Sequence, residues 1–177
     1  FSSVTIDYKK ADTEALNLLM HDGKKNLAIV VGDQDAVVNG ENRIPAYEEF
    51  IRANNLGEPH IYTGIKDYSD GYNLYPQLVK DGIDGVIVTR DISSVGILNS
   101  AMDAGTKVPE EFEIVTASAT QLASVVRPAL TTIKQPLYDI GAVAMRMLTK
   151  LMNNEEVDDT HIELPYELVK KQSTLNQ

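Results

Sequence analysis

The 177-residue chain has no cysteine and no tryptophan, only 6% aromatic residues, and fewer basic than acidic side chains, 16 against 26. Without cysteine it can build no disulfide framework, thiol nucleophile or cysteine-ligated zinc centre, and it is consistent with a reducing compartment. No stretch approaches the roughly 20 unbroken apolar residues that a membrane-spanning helix requires. No charged-then-apolar signal segment opens the sequence, so the expected location is the cytoplasm. A net charge of −10 denies the chain the basic face with which a DNA-gripping domain neutralises phosphates. The first residue is Phe1 rather than Met, and FSSVTIDY runs straight into a strand-like pattern. We therefore expect a piece of a longer chain whose missing part lies upstream.

What is present is enough for a core: 43% of the residues are hydrophobic, which excludes wholesale disorder. The pattern is strand, helix, strand, helix. Val4–Asp7 alternates as a half-buried strand does, and Ala11, Ala15, Leu18 and Leu19 share one helical face before the stop at Asp22-Gly23. Leu27–Val31 and the GVIVT run at 85–89 are short, branched and nearly all apolar, as strands of a parallel sheet covered on both faces must be. Further strands are expected at 60–63, 112–116 and 130–133, with helices over 44–53, 72–78, 92–104 and 137–152. Residues 34–42 and 117–128 read as a loop and a crossing segment, 161–164 as a last extended piece. The tail from Lys170 has little reason to be ordered. Five strands with four intervening helices predict a doubly wound, mainly parallel α/β sheet.

Catalytic signatures are absent. There is no GxGxxG after the first strand, no GxxxxGK[ST] and no GxSxG. His21, His60 and His161 are scattered without metal-ligand spacing, and the acidic pairs fall in loops, so no catalysis, metal or cofactor is expected. A binding crevice is nonetheless implied, because open α/β sheets collect ligands beyond the carboxyl ends of their strands. The residues there are 32–40, Arg43, Arg90, Asp91 and 116–118. Arg43 and Arg90 are either surface arginines or clamps for a ligand. Charge is also uneven: residues 127–150 hold Arg127, Lys134, Arg146 and Lys150 against Asp139 alone. Such an island on an acidic body is either a docking surface for an anionic partner or a set of solvated side chains.

The segment RPALTTIKQPLYDIGAVAMRMLTKLM, 127–152, resembles the C-terminal part of LacI/GalR-type bacterial transcription regulators, and YDIGAVAMR resembles their catabolite-control branch. SVTIDY at 3–8, GKKNLAIVVG at 23–32 and IELPYELVKKQST at 162–174 extend the likeness over nearly the whole chain. The resemblance implies a periplasmic-binding-protein-like lobe followed by a helix belonging to the other lobe. Residues 1–116 would form the second lobe, 117–153 the crossover and a first-lobe helix, and 154–177 a return segment and tail. A DNA-binding headpiece would lie outside this chain, giving a homodimer that grips operator DNA. It further implies control of carbon catabolite repression by serine-phosphorylated HPr, docked on Tyr138, Asp139, Val143 and Arg146.

The last three of those positions fall at i, i+4 and i+7 of one helix, hence on one face. Arg146 is the phosphate partner in this scheme, since a guanidinium offers paired donors to phosphoryl oxygens. Spacing alone would also allow Val143 to be core and Arg146 an ordinary surface charge. The apolar stripe of the same helix (Ile140, Val143, Ala144, Met147, Leu148 and Leu151) is expected to lack its cover here, and so to pair, repack or disorder.

The effector cleft departs from sugar-responsive relatives. Ala46 stands for the Gly of an R-x-x-G pattern beginning at Arg43, Arg90 replaces the Asn before Asp91, and Thr116-Ala117-Ser118 replaces an Asp-containing string. Losing a carboxylate and gaining an arginine favours a small anion such as a phosphorylated sugar over a neutral sugar. The alternative reading is a sugar-binding module without phosphoprotein control.

Overall fold

The computed structural model describes residues 2–32, 43–157 and 159–175. The chain divides into two compact units, one formed by residues 1–7 and 135–167, the other by 8–134 and 168–177.

The larger unit begins with α1 (Tyr8–His21), followed by β2 (Leu27–Val30), α2 (Arg43–Ala53), β3 (His60–Tyr62), α3 (Tyr68–Lys80), β4 (Gly85–Val88), α4 (Asp91–Asp103) and β5 (Glu113–Thr116). A one-turn helix α5 (Leu122–Val125), β6 (Thr131–Lys134) and β8 (Glu167–Val169, its first residue on the unit boundary) complete the sheet, whose order is β3-β2-β4-β5-β6-β8. The pairs from β3 to β6 are all parallel. Every residue of β2, β4 and β5 is buried, which is why β2 and β4 read as unbroken apolar runs rather than alternating ones.

The chain moves outward from β2 to β3 and then back past β2 to β4. Right-handed crossovers in opposite directions place their helices on opposite faces. Accordingly α1 packs on α2, and α3 on α4. Alternate strand residues Ala28, Val30, Val86, Val88 and Ile114 join Tyr75, Leu78, Ile97, Leu98 and Ala101 in one core cluster; their period-two neighbours turn to the other face. The α3–α4 contact is unusually close. A Cβ at Gly96 would stand 2.2 Å from the Tyr68 carbonyl oxygen, and one at Gly71 2.1 Å from that of Ser93.

The smaller unit pairs β1 (Ser3–Thr5) with β7 (His161–Glu163) in parallel, Val4 opposite Ile162, and carries α6 (Leu137–Met152) against β1. Ser3 Oγ and His161 Nδ1 join the two strands at 2.9 Å.

Several expectations are corrected. The first strand does not enter the main sheet. A three-residue strand cannot declare its partner, and β1 finds β7 more than 150 residues away. Helix α3 starts at Tyr68, not Tyr72, because Asp67 accepts from the Asp70 N–H while the Asp70 side chain accepts from the Asp67 N–H, a reciprocal cap. The crossing segment contains α5.

The tail is ordered through Leu175. Thr131 N–H donates to Ser173 Oγ at 2.8 Å, Ser173 N–H to the Ala129 carbonyl at 3.0 Å and Ile114 N–H to the Ser173 carbonyl at 3.2 Å, while Thr131 and Thr174 hydroxyls meet at 2.8 Å. Ser173 and Thr174 are fully buried. Polar residues gave no apolar signal of burial, yet their hydroxyls satisfy strand-end groups that burial would otherwise orphan. The loop expected over 34–42 lies outside the described residues.

Candidate functional site

Strand order identifies the crevice. The direction of winding reverses between β2 and β4, and in open α/β sheets ligands bind beyond the carboxyl ends of the strands at such a switch point. Gly32 lies just beyond β2, and Thr89 and Arg90 just beyond β4. The Arg90 side chain lies across Gly32 so closely that a Cβ there would be 2.4 Å from Arg90 Nε. A larger residue there would displace the Arg90 side chain. Gly32 N–H donates to Thr89 Oγ1 at 3.2 Å, joining the two strand ends. Arg90 is exposed, and its guanidinium makes no hydrogen bond or ion pair among the described residues.

Asp91, in the first turn of α4, is 3% exposed. One carboxylate oxygen accepts from Thr116 Oγ1 and the other from the Thr120 N–H, each at 2.5 Å. Ser94 Oγ lies 2.9 Å from both Thr116 Oγ1 and the Arg90 carbonyl. Asp91 therefore ties the loop after β5 to α4 and has both oxygens occupied. That loop holds Ala119 at φ +53°, a left-handed conformation costly for a residue with a Cβ. Ser118 Oγ donates to the Thr89 carbonyl at 3.0 Å.

Arg43 stands elsewhere, where α1 meets α2. Its Nε and Nη2 donate to the two Asp12 oxygens, each at 2.7 Å, and both side chains are buried. The Tyr8 ring lies 5.2 Å from the guanidinium carbon. Burial pushes the Tyr8 phenol above its ordinary value, against the pull of Arg43. Arg90, Asp91 and Ser118 are thus gathered at the end of β4, with Arg90 the exposed cation, while Arg43 serves a buried ion pair. Asp12 and Ser94, the partner of Thr116, escaped the sequence reading. The available signals were an aspartate on the apolar face of α1 and a Ser93-Ser94 pair inside a buried helix. Residues 33–40 of the expected crevice lie outside the described residues.

On α6 only Met147 is buried. Tyr138 is 86% exposed, Asp139 and Arg146 are exposed, and Val143 is half-buried. Leu148 and Leu151 of the predicted stripe are also exposed, and the helix is formed along its full expected length, with Asp139 in its first turn and Lys150 in its last, each opposing the nearby end of the helix dipole. Among the described residues no group of three histidine, aspartate or glutamate side chains could hold a metal ion. None of the described helices is long and apolar enough to cross a membrane.

Residues 16–174 match the model of the periplasmic binding protein-like domain. The chain belongs to that family. It is 71% identical over its whole length to the HTH-type transcriptional regulator pepR1 of Lactobacillus delbrueckii subsp. lactis, covering 53% of it. It is 38% identical over 172 residues to catabolite control protein A of Staphylococcus epidermidis, covering 94% of this chain and 51% of that protein. Among solved structures, transcription regulator CcpA of Lactococcus lactis superposes with a TM-score of 0.92 at 36% identity, over 98% of this chain and 64% of that one. The chain thus spans about half the length of the curated relatives it matches, and its fold is that of the cores of LacI-type regulators.

Proposed function

We propose that this periplasmic-binding-protein-like chain is the effector- and corepressor-binding core of a transcription regulator of carbon catabolite repression, controlled by serine-phosphorylated HPr docking on α6. In this reading the larger unit is the second lobe and the smaller contributes to the first, and operator DNA is gripped by a headpiece outside this chain. The observation that carries it is the exposure of α6, which presents Tyr138, Asp139 and Arg146 outward beside half-buried Val143. An exposed arginine without an ion pair among the described residues has its donors free for a phosphoryl group. Homodimerisation through the larger unit is supported by exposed Ile92 and Met102 on α4 and Leu122 and Val125 on α5, helices that touch.

The test is a titration of the full-length protein with serine-phosphorylated and unphosphorylated HPr. We expect phosphate-dependent binding that weakens at least about tenfold in Arg146→Ala, the loss of one charge-assisted contact. Equal binding of the two HPr forms overturns the reading.

A second reading, a sugar-binding module without phosphoprotein control, is favoured by the switch-point crevice. There Arg90 points to a small anion such as a phosphorylated sugar. Calorimetric titration with fructose 1,6-bisphosphate and glucose decides its chemistry: tighter glucose binding removes the anion preference.

A further inference from the structure

The N–H of Leu175, just after buried Ser173 and Thr174, is shared between two carboxylates. Glu113 Oε1 accepts it at 3.0 Å and Asp22 Oδ2 at 3.1 Å. Two acceptors within reach of one nitrogen are necessarily close to each other. Glu113 is fully buried at the start of β5, and its other oxygen, Oε2, has no hydrogen-bond partner among the described residues. An ionised carboxylate there would be desolvated, one donor short and beside a like charge. A proton on Glu113 removes all three costs.

We propose that Glu113 is protonated in the folded chain at neutral pH, and that its ionisation under mildly alkaline conditions opens the C-terminal clip, residues 171–175, from the ends of β5 and β6. The charged groups around it are few. Asp22 follows α1. Lys24 is buried with its ammonium held by the carbonyls of Pro109 and Glu110 at 3.1 and 2.9 Å. Asp84 gives its carbonyl to the Glu113 N–H, while its carboxylate is taken by the Lys25 and Asn26 amides. Lys171, on the clip, directs its ammonium to Ser124 Oγ at 3.0 Å.

Burial is the largest influence and pushes the Glu113 carboxyl up to about 8; the Leu175 N–H pulls it down, Asp22 pushes it up and Lys24 pulls it down. Since the folded value lies above the ordinary 4.5, the proton favours the fold. Its stabilisation is complete below that ordinary value, declines from there upward, and is lost as pH passes about 8.

Amide hydrogen exchange across 171–175 in the full chain, expressed as protection relative to intrinsic rates, tests this between pH 6 and 9.5. Protection should fall about tenfold per unit from pH 6 to about 8 and level off above it. Glu113→Gln should keep it flat, and Asp22→Asn should lower the pH at which the wild-type fall levels off. Protection that stays flat in the wild type, or falls equally in Glu113→Gln, overturns the proposal. Should that variant fail to fold, carboxyl-carbon NMR of wild-type Glu113 decides: titration near 8 supports protonation, and titration below 6 overturns it.

Discussion

Helices α4 and α6 invert the usual relation between pattern and burial. In α4, nine of thirteen residues are buried, three of them serines, and apolar residues are not confined to one stripe. In α6 the apolar stripe is the clearest in the chain, yet only Met147 of its sixteen residues is buried. The first helix is covered because its neighbours come to backbone distance over Gly96 and Gly71, and because Ser94 and Asp91 find polar partners inside. The second lies against β1, yet Leu148 and Leu151 of its apolar stripe stay exposed. Periodicity records which side of a helix is meant to be covered; it does not say that the cover is at hand.

The contrast is broken hardest at the arginines. Arg43→Ala should leave the Asp12 carboxylate buried and unpaired and cost about 3–5 kcal/mol, whereas Arg146→Ala on exposed α6 should stay within about 0.5 kcal/mol. Urea denaturation of both variants measures the difference; a small loss for Arg43→Ala would mean that water replaces the pair. Next comes Gly96→Ala. Its new Cβ would lie 2.2 Å from the Tyr68 carbonyl and 2.7 Å from the Tyr72 nitrogen, so the helices must separate, at about 1–3 kcal/mol by the same measurement. The smallest effect has the opposite sign. Gly141 on α6 has nothing within 4 Å of an added Cβ, so Gly141→Ala should stabilise by about 0.5–1 kcal/mol, seen as a raised urea midpoint. Destabilisation there would reveal a close neighbour of α6.

Much of the fold was legible. Branched apolar runs at 27–30 and 85–88 announced doubly covered strands, and the stripe at 137–152 announced a helix whose limits match those observed. Polar contributions were not. Ser173 and Thr174 look like a solvated tail until their hydroxyls are seen to cap the β5–β6 seam. Of the candidate site, Arg90, Asp91 and Ser118 do converge, but Arg43 is spent on Asp12, a partner 31 residues away that no local pattern announces.

The sequence by itself determined the local choices, namely which segments are strands or helices, which face of each is apolar, and the absence of cysteine chemistry. Those follow from periodicity and residue type, which act within a few neighbours. Only the tertiary structure decided the strand order that sets the switch point between Gly32 and Arg90, the partner of β1, the pairing of Arg43 with Asp12 and the convergence of Asp22 and Glu113 on one amide. Each joins residues far apart in the chain, and such contacts depend on how the elements pack against one another.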